Sequence, residues 1–135
     1  MAQRTVRVVS AEIQQDGRYL LTQRLPTAVL PGLWEFPGGR VRDGEDDRDA
    51  LRRTLADRIG VDAHVDEKLL EVQHDYDDWS VVMAVYRCDL EAPPEARRVA
   101  ALAWVEAGDF GSYPFPGADQ KTLQLLLSDA SDESA

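Results

Sequence analysis

A single cysteine, two histidines and the absence of any long apolar run remove several kinds of protein at once. Cys88 has no partner for an internal disulfide, and its place in the run VVMAVYRC favours a buried, inert thiol. His64 and His74 have no second His or Cys at a metal-ligating spacing, which argues against a zinc centre. No stretch approaches the roughly 20 apolar residues that cross a bilayer. The polar start, residues 1–7, lacks the apolar segment of a secretory signal, so a cytoplasmic protein with no membrane partner is expected. Basic residues are also in deficit: 15 Lys and Arg against 25 Asp and Glu give a formal net charge of −10. Without a Lys/Arg stripe to release counterions, binding to a nucleic-acid polymer is not expected. A small anionic ligand remains compatible, because a local metal ion or arginine overrules the global field.

What is present fits one globular domain. The chain has 135 residues, 44% hydrophobic and 30% charged, enough to bury a core. A single domain is expected over residues 1–128, with 129–135 an acidic, disordered tail. Residues 4–13 alternate with β-branched side chains, and Asp16-Gly17 turns the chain into RYLLTQR, a hairpin signal. The stretch LPTAVLPGLWEFPGG carries three prolines and three glycines, which predict a loop through most of its length. Loops this long in compact domains are often functional.

Asp46 is placed to cap a helix from Asp47 to Ile59, with Asp49 three residues on in a capping-box arrangement. Ala50, Leu51, Leu55 and Ile59 form its apolar face, and Gly60 ends it. Strands are predicted over 68–76 and 79–90, parted by Asp77-Asp78, then a short strand at ALAWVE. A last helix over 119–127 carries Leu123, Leu126 and Leu127. This order suggests a mixed sheet with helices on both faces, in which VVMAVY is a central strand.

Gly38-Gly39 shortly before a helix permits positive φ and close backbone approach, while a helix start points free N–H groups at an anion. From Gly39 the chain runs five residues to Glu45, seven more to Arg53, then Thr54-Leu55-Ala56-Asp57-Arg58-Ile59-Gly60-Val61. This resembles the Nudix box: Gly, five residues, Glu, seven residues, Arg-Glu-aliphatic-any-Glu-Glu-any-Gly-aliphatic. Gly39, Glu45, Arg53, Leu55, Gly60 and Val61 match in register. LWEFPGG, the hairpin before it and VVMAVY after it are similar to the MutT-like branch, so the resemblance spans nearly the whole chain.

The resemblance implies a Nudix-type α/β/α sandwich with a mixed β-sheet that hydrolyses a nucleoside diphosphate linked to another group. It implies Glu45, Asp57 and Arg53 as catalytic residues, and Gly39 and Asp57 as metal ligands. The cofactor would be Mg²⁺ or Mn²⁺ if hydrolysis is retained, and none if it is lost. Three box glutamates would share one helix side at positions 54, 57 and 58. Here Thr54 replaces the first, Asp57 shortens the second and Arg58 replaces the third, taking the formal charge of the trio from −3 to zero. An inward guanidinium about 5 Å from a divalent ion would be repelled by roughly 7 kcal/mol at an effective dielectric of about 20. The loop before ALAWVE, where MutT-like enzymes often add a carboxylate, offers Arg97 and Arg98, with Glu95 nearby. Arg58, with Arg98 or Arg53, either faces solvent or meets phosphate. Arg53 lies four residues from both Asp49 and Asp57 and can pair with either.

The resemblance also places Arg24, Phe36, Gly38, Gly39, Asp78 and Asp119 at a nucleotide, with the strand near Val81 beside them. Each has a plainer role open to it: Phe36 in the core, Asp119 as a helix cap, Asp78 in a turn. Trp34, Trp79 and Trp104 read mostly as packing, with Trp79 the one to touch a ligand. The partner expected is a small nucleotide; the oligomeric state is not legible. Two functions follow. One is a MutT-like domain that binds a nucleoside di- or triphosphate, or an ADP-ribose-like ligand, with weak or lost metal-dependent pyrophosphohydrolase activity. The alternative is an active nucleoside triphosphate pyrophosphohydrolase of the oxidised guanine nucleotide class.

Overall fold

The computed structural model describes residues 4–28, 31–76 and 79–113. In chain order the elements are β1 (Arg4–Gln15), β2 (Arg18–Gln23), β3 (Trp34–Glu35), β4 (Gly38–Arg40), α1 (Asp47–Ile59), β5 (Ala63–Asp75), β6 (Trp79–Leu90) and β7 (Ala101–Val105). A 3-10 turn, Ala107–Ser112, follows.

β1 organises the sheet. It runs parallel to β6 from Arg4 opposite Trp79 to Ile13 opposite Cys88, and antiparallel to β4 from Val8 opposite Arg40 to Ser10 opposite Gly38. Its far end folds into β2 through Asp16 and Gly17, at φ 53° and 77°, the positive pair that a two-residue hairpin turn requires. β2 carries β3 and β7, and β5 closes the opposite edge on β6. The sheet is mixed, as the chain order suggested, and β6 is paired on both sides. The expected last helix lies outside the described residues; α1 covers one face of the sheet.

Ala50, Leu51, Leu55 and Ile59 of α1 are fully buried against Val9, Ala11 and Ile13 of β1 and Ala84, Tyr86 and Cys88 of β6. Each large aliphatic side chain so buried contributes roughly 1.5–3 kcal/mol. Burial pushes the Cys88 thiol up to about 12, so it packs as a small apolar group. On the other face Trp79 and Val81 meet Val8, Tyr76 and Met83, with the Tyr76 and Trp79 rings stacked at 4.8 Å.

Three expectations need correction. The Asp46 carboxylate caps the Arg48 amide at 3.0 Å, and Asp49 bonds Arg52 in place of closing a capping box. The glycine-rich loop contains two short strands, because β1 and β2 offer free edges that β4 and β3 pair with. β5 starts at Ala63 and not near 68; Ala63 and Val65 alternate inward between charged neighbours that hide the pattern.

An ionic cluster ties α1 to three strands. Arg7 of β1 donates Nε to Asp47 Oδ1 at 2.6 Å and Nη2 to Glu71 of β5 at 2.7 Å, while the Tyr86 hydroxyl of β6 donates to Asp47 Oδ2 at 2.9 Å. Arg48, over the Tyr86 ring, donates to the carbonyls of Val65 and Asp66 where β5 shifts register. The Arg7 hydrogen bonds hold the Asp47 carboxyl below its usual range. A depressed carboxylate stabilises the fold above its unfolded pKa, and that contribution is lost as pH falls through the folded one. Asp47→Asn should therefore cost about 2 kcal/mol at neutral pH, with the deficit shrinking as pH falls below about 4. Urea melts of both proteins across pH check this; a deficit independent of pH would contradict it.

Candidate functional site

The predicted site residues divide into two groups, and the larger gathers where α1 crosses β4. Gly39 faces the helix: a Cβ there would stand 2.7 Å from Thr54 Cγ2 and 3.6 Å from Arg58 Nη2. Thr54 and Arg58, one helical turn apart, thus share the side of α1 turned toward Gly39. Gly38 has its own constraint, since a Cβ would collide with the Val9 carbonyl of β1. Neither glycine has positive φ, so the freedom that glycine permits there is not used. The close backbone approach is present, but its partners are β1 and α1.

Between β4 and α1 the chain makes a tight turn through Gly44, at φ 77°. The Glu45 amide donates to the Arg42 carbonyl, and the Arg42 amide donates to Glu45 Oε1, both at 3.0 Å. Arg53 then grips Glu45 with two bonds, Nε to Oε2 at 2.9 Å and Nη2 to Oε1 at 2.8 Å. Nη2 also donates to the Arg40 carbonyl at 3.0 Å. This fork locks turn, strand and helix together. The Arg53 guanidinium, helped by the Arg42 amide, holds the Glu45 carboxyl at about 2, so Glu45 is a poor proton acceptor as it stands. The expected pairing of Arg53 with Asp49 or Asp57 is replaced by this one: Asp49 goes to Arg52 at 3.1 Å and Asp57 to Arg98 at 3.5 Å.

The Arg98 contact depends on residues 91–100, which close over the end of α1. The amides of Glu95, Arg97 and Arg98 donate to the carbonyls of Ile59 (2.8 Å) and Arg58 (3.1 and 3.0 Å), satisfying acceptors that a helix terminus leaves open. Gly60 adopts the left-handed cap at φ 67°, and Arg97 lies against its α-carbon where a Cβ would collide. Glu95 pairs with Arg97 at 3.4 Å. Residues 41–47 and 95–98 thus bind the two ends of the helix. The Glu45–Arg53 and Asp57–Arg98 pairs had no local signal, since their partners are eight and 41 positions apart.

The donors here do not suit Mg²⁺ or Mn²⁺. Among the described residues no three His, Cys, Asp or Glu side chains converge. The buried Thr54 hydroxyl donates to the Leu51 carbonyl at 3.1 Å, both Glu45 oxygens are gripped by Arg53, and Asp57 faces Arg98. The guanidinium tip of Arg58 stands beside Gly39, so Gly39 and Asp57 are flanked by positive charge.

The second group sits around β2 and β3. Arg24 is buried, donating Nη1 to Glu35 Oε1 at 3.3 Å, and Phe36 packs edge-on to Phe110 with centroids 5.8 Å apart. Phe110 also meets Tyr19 at 5.6 Å, and Trp34 meets Tyr113 at 5.1 Å. Trp79, the tryptophan expected to touch a ligand, is 7% exposed within the sheet-face cluster. Val81 is buried beside it. Asp78 and Asp119 lie outside the described residues. No helix among the described residues is long and apolar enough to cross a membrane.

The fold and its box meet known proteins throughout their length. The chain is 32% identical over 124 residues to a CTP pyrophosphohydrolase of Escherichia coli, covering 91% of this chain and 92% of that protein. It is 30% identical over 131 residues to an 8-oxo-dGTP diphosphatase of Haemophilus influenzae, covering 96% of each. The solution structure of the E. coli ORF135 protein superposes with a TM-score of 0.75 at 31% identity, over 93% of this chain and 91% of that one. With the family model for the NUDIX domain matching residues 8–125, the chain belongs to the Nudix family, and its relatives are nucleotide hydrolases of the MutT-like kind.

Proposed function

We propose that this Nudix domain, spanning residues 1–128 ahead of an acidic tail, binds a nucleoside di- or triphosphate in the cytoplasm and hydrolyses it weakly or not at all. The observation that carries this reading is the state of the box on α1. Thr54, Asp57 and Arg58 replace three glutamates, and Asp57 is engaged by Arg98. The scaffold around them is intact, with Glu45 and Arg53 joined and Gly39 under the helix. Phe36, Asp78, Asp119 and Arg24, which pairs with Glu35, would meet the nucleoside. Gly38, Gly39 and Arg58, with Arg98 or Arg53, would lie toward the phosphates.

An active triphosphate pyrophosphohydrolase is the second reading, supported by relatives that bear that activity in their names over nearly the full chain. Divalent metal then supplies Lewis-acid stabilisation and a more acidic bound water. Of the box positions that carry acids in the resemblance, this chain keeps carboxylates at Glu45, which Arg53 grips, and at Asp57, which lies 3.5 Å from Arg98.

Turnover of CTP, dGTP and 8-oxo-dGTP with Mg²⁺ or Mn²⁺ decides between the two. Weak or lost hydrolysis means kcat far below about 1 per second; values at or above that order would establish the active reading. A paired substitution tests the cause. Arg58→Glu with Arg98→Ala should release Asp57, add a carboxylate and raise Mn²⁺ affinity by about tenfold or more, roughly 1.4 kcal/mol, measured by calorimetry. Unchanged Mn²⁺ affinity would show that charge on this helix face is not what limits metal binding.

A further inference from the structure

We infer that Phe110 is a positioning residue, whose edge-on contact sets the ring of Phe36 against the base of the bound nucleotide. This inference rests on the nucleotide-binding reading, in which Phe36 meets the nucleoside, and adds what orients that ring.

The backbone around Phe36 is anchored on both sides. The Thr22 hydroxyl donates to the Glu35 carbonyl at 3.3 Å, and the Ala11 amide donates to the carbonyl of the fully buried Pro37 at 2.8 Å. A following proline also keeps Phe36 to extended backbone. The freedom that remains is in the side chain, since χ2 of phenylalanine has a broad range. Phe110 lies at 81° to the Phe36 ring, with centroids 5.8 Å apart, and at 68° to the Tyr19 ring at 5.6 Å. Ring quadrupoles favour this edge-to-face arrangement, so Phe110 selects one tilt of Phe36.

Phe110 is placed in turn by the sheet. Tyr19 of β2 pairs with Val105, the last residue of β7, and the chain then enters the 3-10 turn beside Tyr19. The Asp109 amide donates to the Glu106 carbonyl at 2.9 Å and the Tyr113 amide to the Phe110 carbonyl at 3.0 Å. Phe110 and Tyr113, three residues apart, meet Phe36 and Trp34, two residues apart on one strand face. Phe36 stays partly exposed, which leaves ring surface for a ligand. Gly38 and Gly39, toward the phosphates, follow within three residues, roughly 10 Å of extended chain. One nucleotide can therefore span the ring and the glycines.

Calorimetric titration of the full chain with non-hydrolysable analogues of CTP and 8-oxo-dGTP, in Mg²⁺, tests this. Phe110→Leu and Phe110→Met, which keep apolar bulk and remove the ring, should each weaken the tighter-binding analogue about fivefold, roughly 1 kcal/mol. Phe110→Tyr, which keeps the ring edge, should retain most of the affinity. Phe36→Ala should weaken binding by itself, and adding Phe110→Leu to it should cost nothing more, because Phe110 acts through that ring. Circular dichroism melts check that each variant is folded. Wild-type affinity in folded Phe110→Leu, Phe110→Met or Phe36→Ala would overturn the inference while leaving nucleotide binding intact. So would an equal loss in Phe110→Tyr, or a full further loss from Phe110→Leu on top of Phe36→Ala. Absence of binding of either analogue by the wild-type chain would overturn both.

Discussion

The close seating of α1 on β4 is the constraint on which the rest of the site depends. It requires a residue with no Cβ at position 39, because Thr54 fills that space. It also requires the helix to be held at the right height, which Ala50, Leu51, Leu55 and Ile59 achieve by burial on β1 and β6. The Glu45–Arg53 fork then sets the rotation at the turn, and the Arg7–Asp47–Tyr86 cluster anchors the helix start to the sheet. Once the helix is seated, the direction of the side chains at 54 and 58 follows from helical geometry alone. A fold built to present carboxylates there presents a threonine methyl and a guanidinium instead.

Electrostatics inverts locally against the global charge. Around α1, Glu45 is matched by Arg53, Asp57 lies beside Arg98 and Glu95 beside Arg97. At short range paired and half-buried charges outweigh distant ones, which ionic strength screens beyond about 10 Å. A net negative charge does not by itself oppose the proposed binding of a nucleotide.

The sequence disclosed those parts that local chemistry determines. α1 was legible to the residue, because Asp46, the apolar face and Gly60 each mark it independently. The hairpin was legible from Asp16-Gly17, and β6 from its unbroken apolar run. β3 and β4 were hidden because their pairing comes from sheet edges formed elsewhere, and proline and glycine at the same positions pointed to a loop. In the site, residue types and register could be read, while partners could not. Asp49 was an equally good helical neighbour for Arg53, but Glu45 reaches it across a turn with both oxygens and wins by geometry. The glycines were recognised as places of close approach, and only the structure shows that protein atoms fill the space.

The central claim is that the box on α1, with Thr54, Asp57 and Arg58 in place of three glutamates, no longer holds a divalent ion for hydrolysis. A crystal structure with Mn²⁺ and a non-hydrolysable CTP analogue, recorded for anomalous scattering, addresses it most directly. The account expects the bound analogue with no anomalous peak between Glu45, Gly39 and Asp57. An ordered Mn²⁺ between Asp57 or Glu45 and the phosphates would contradict it.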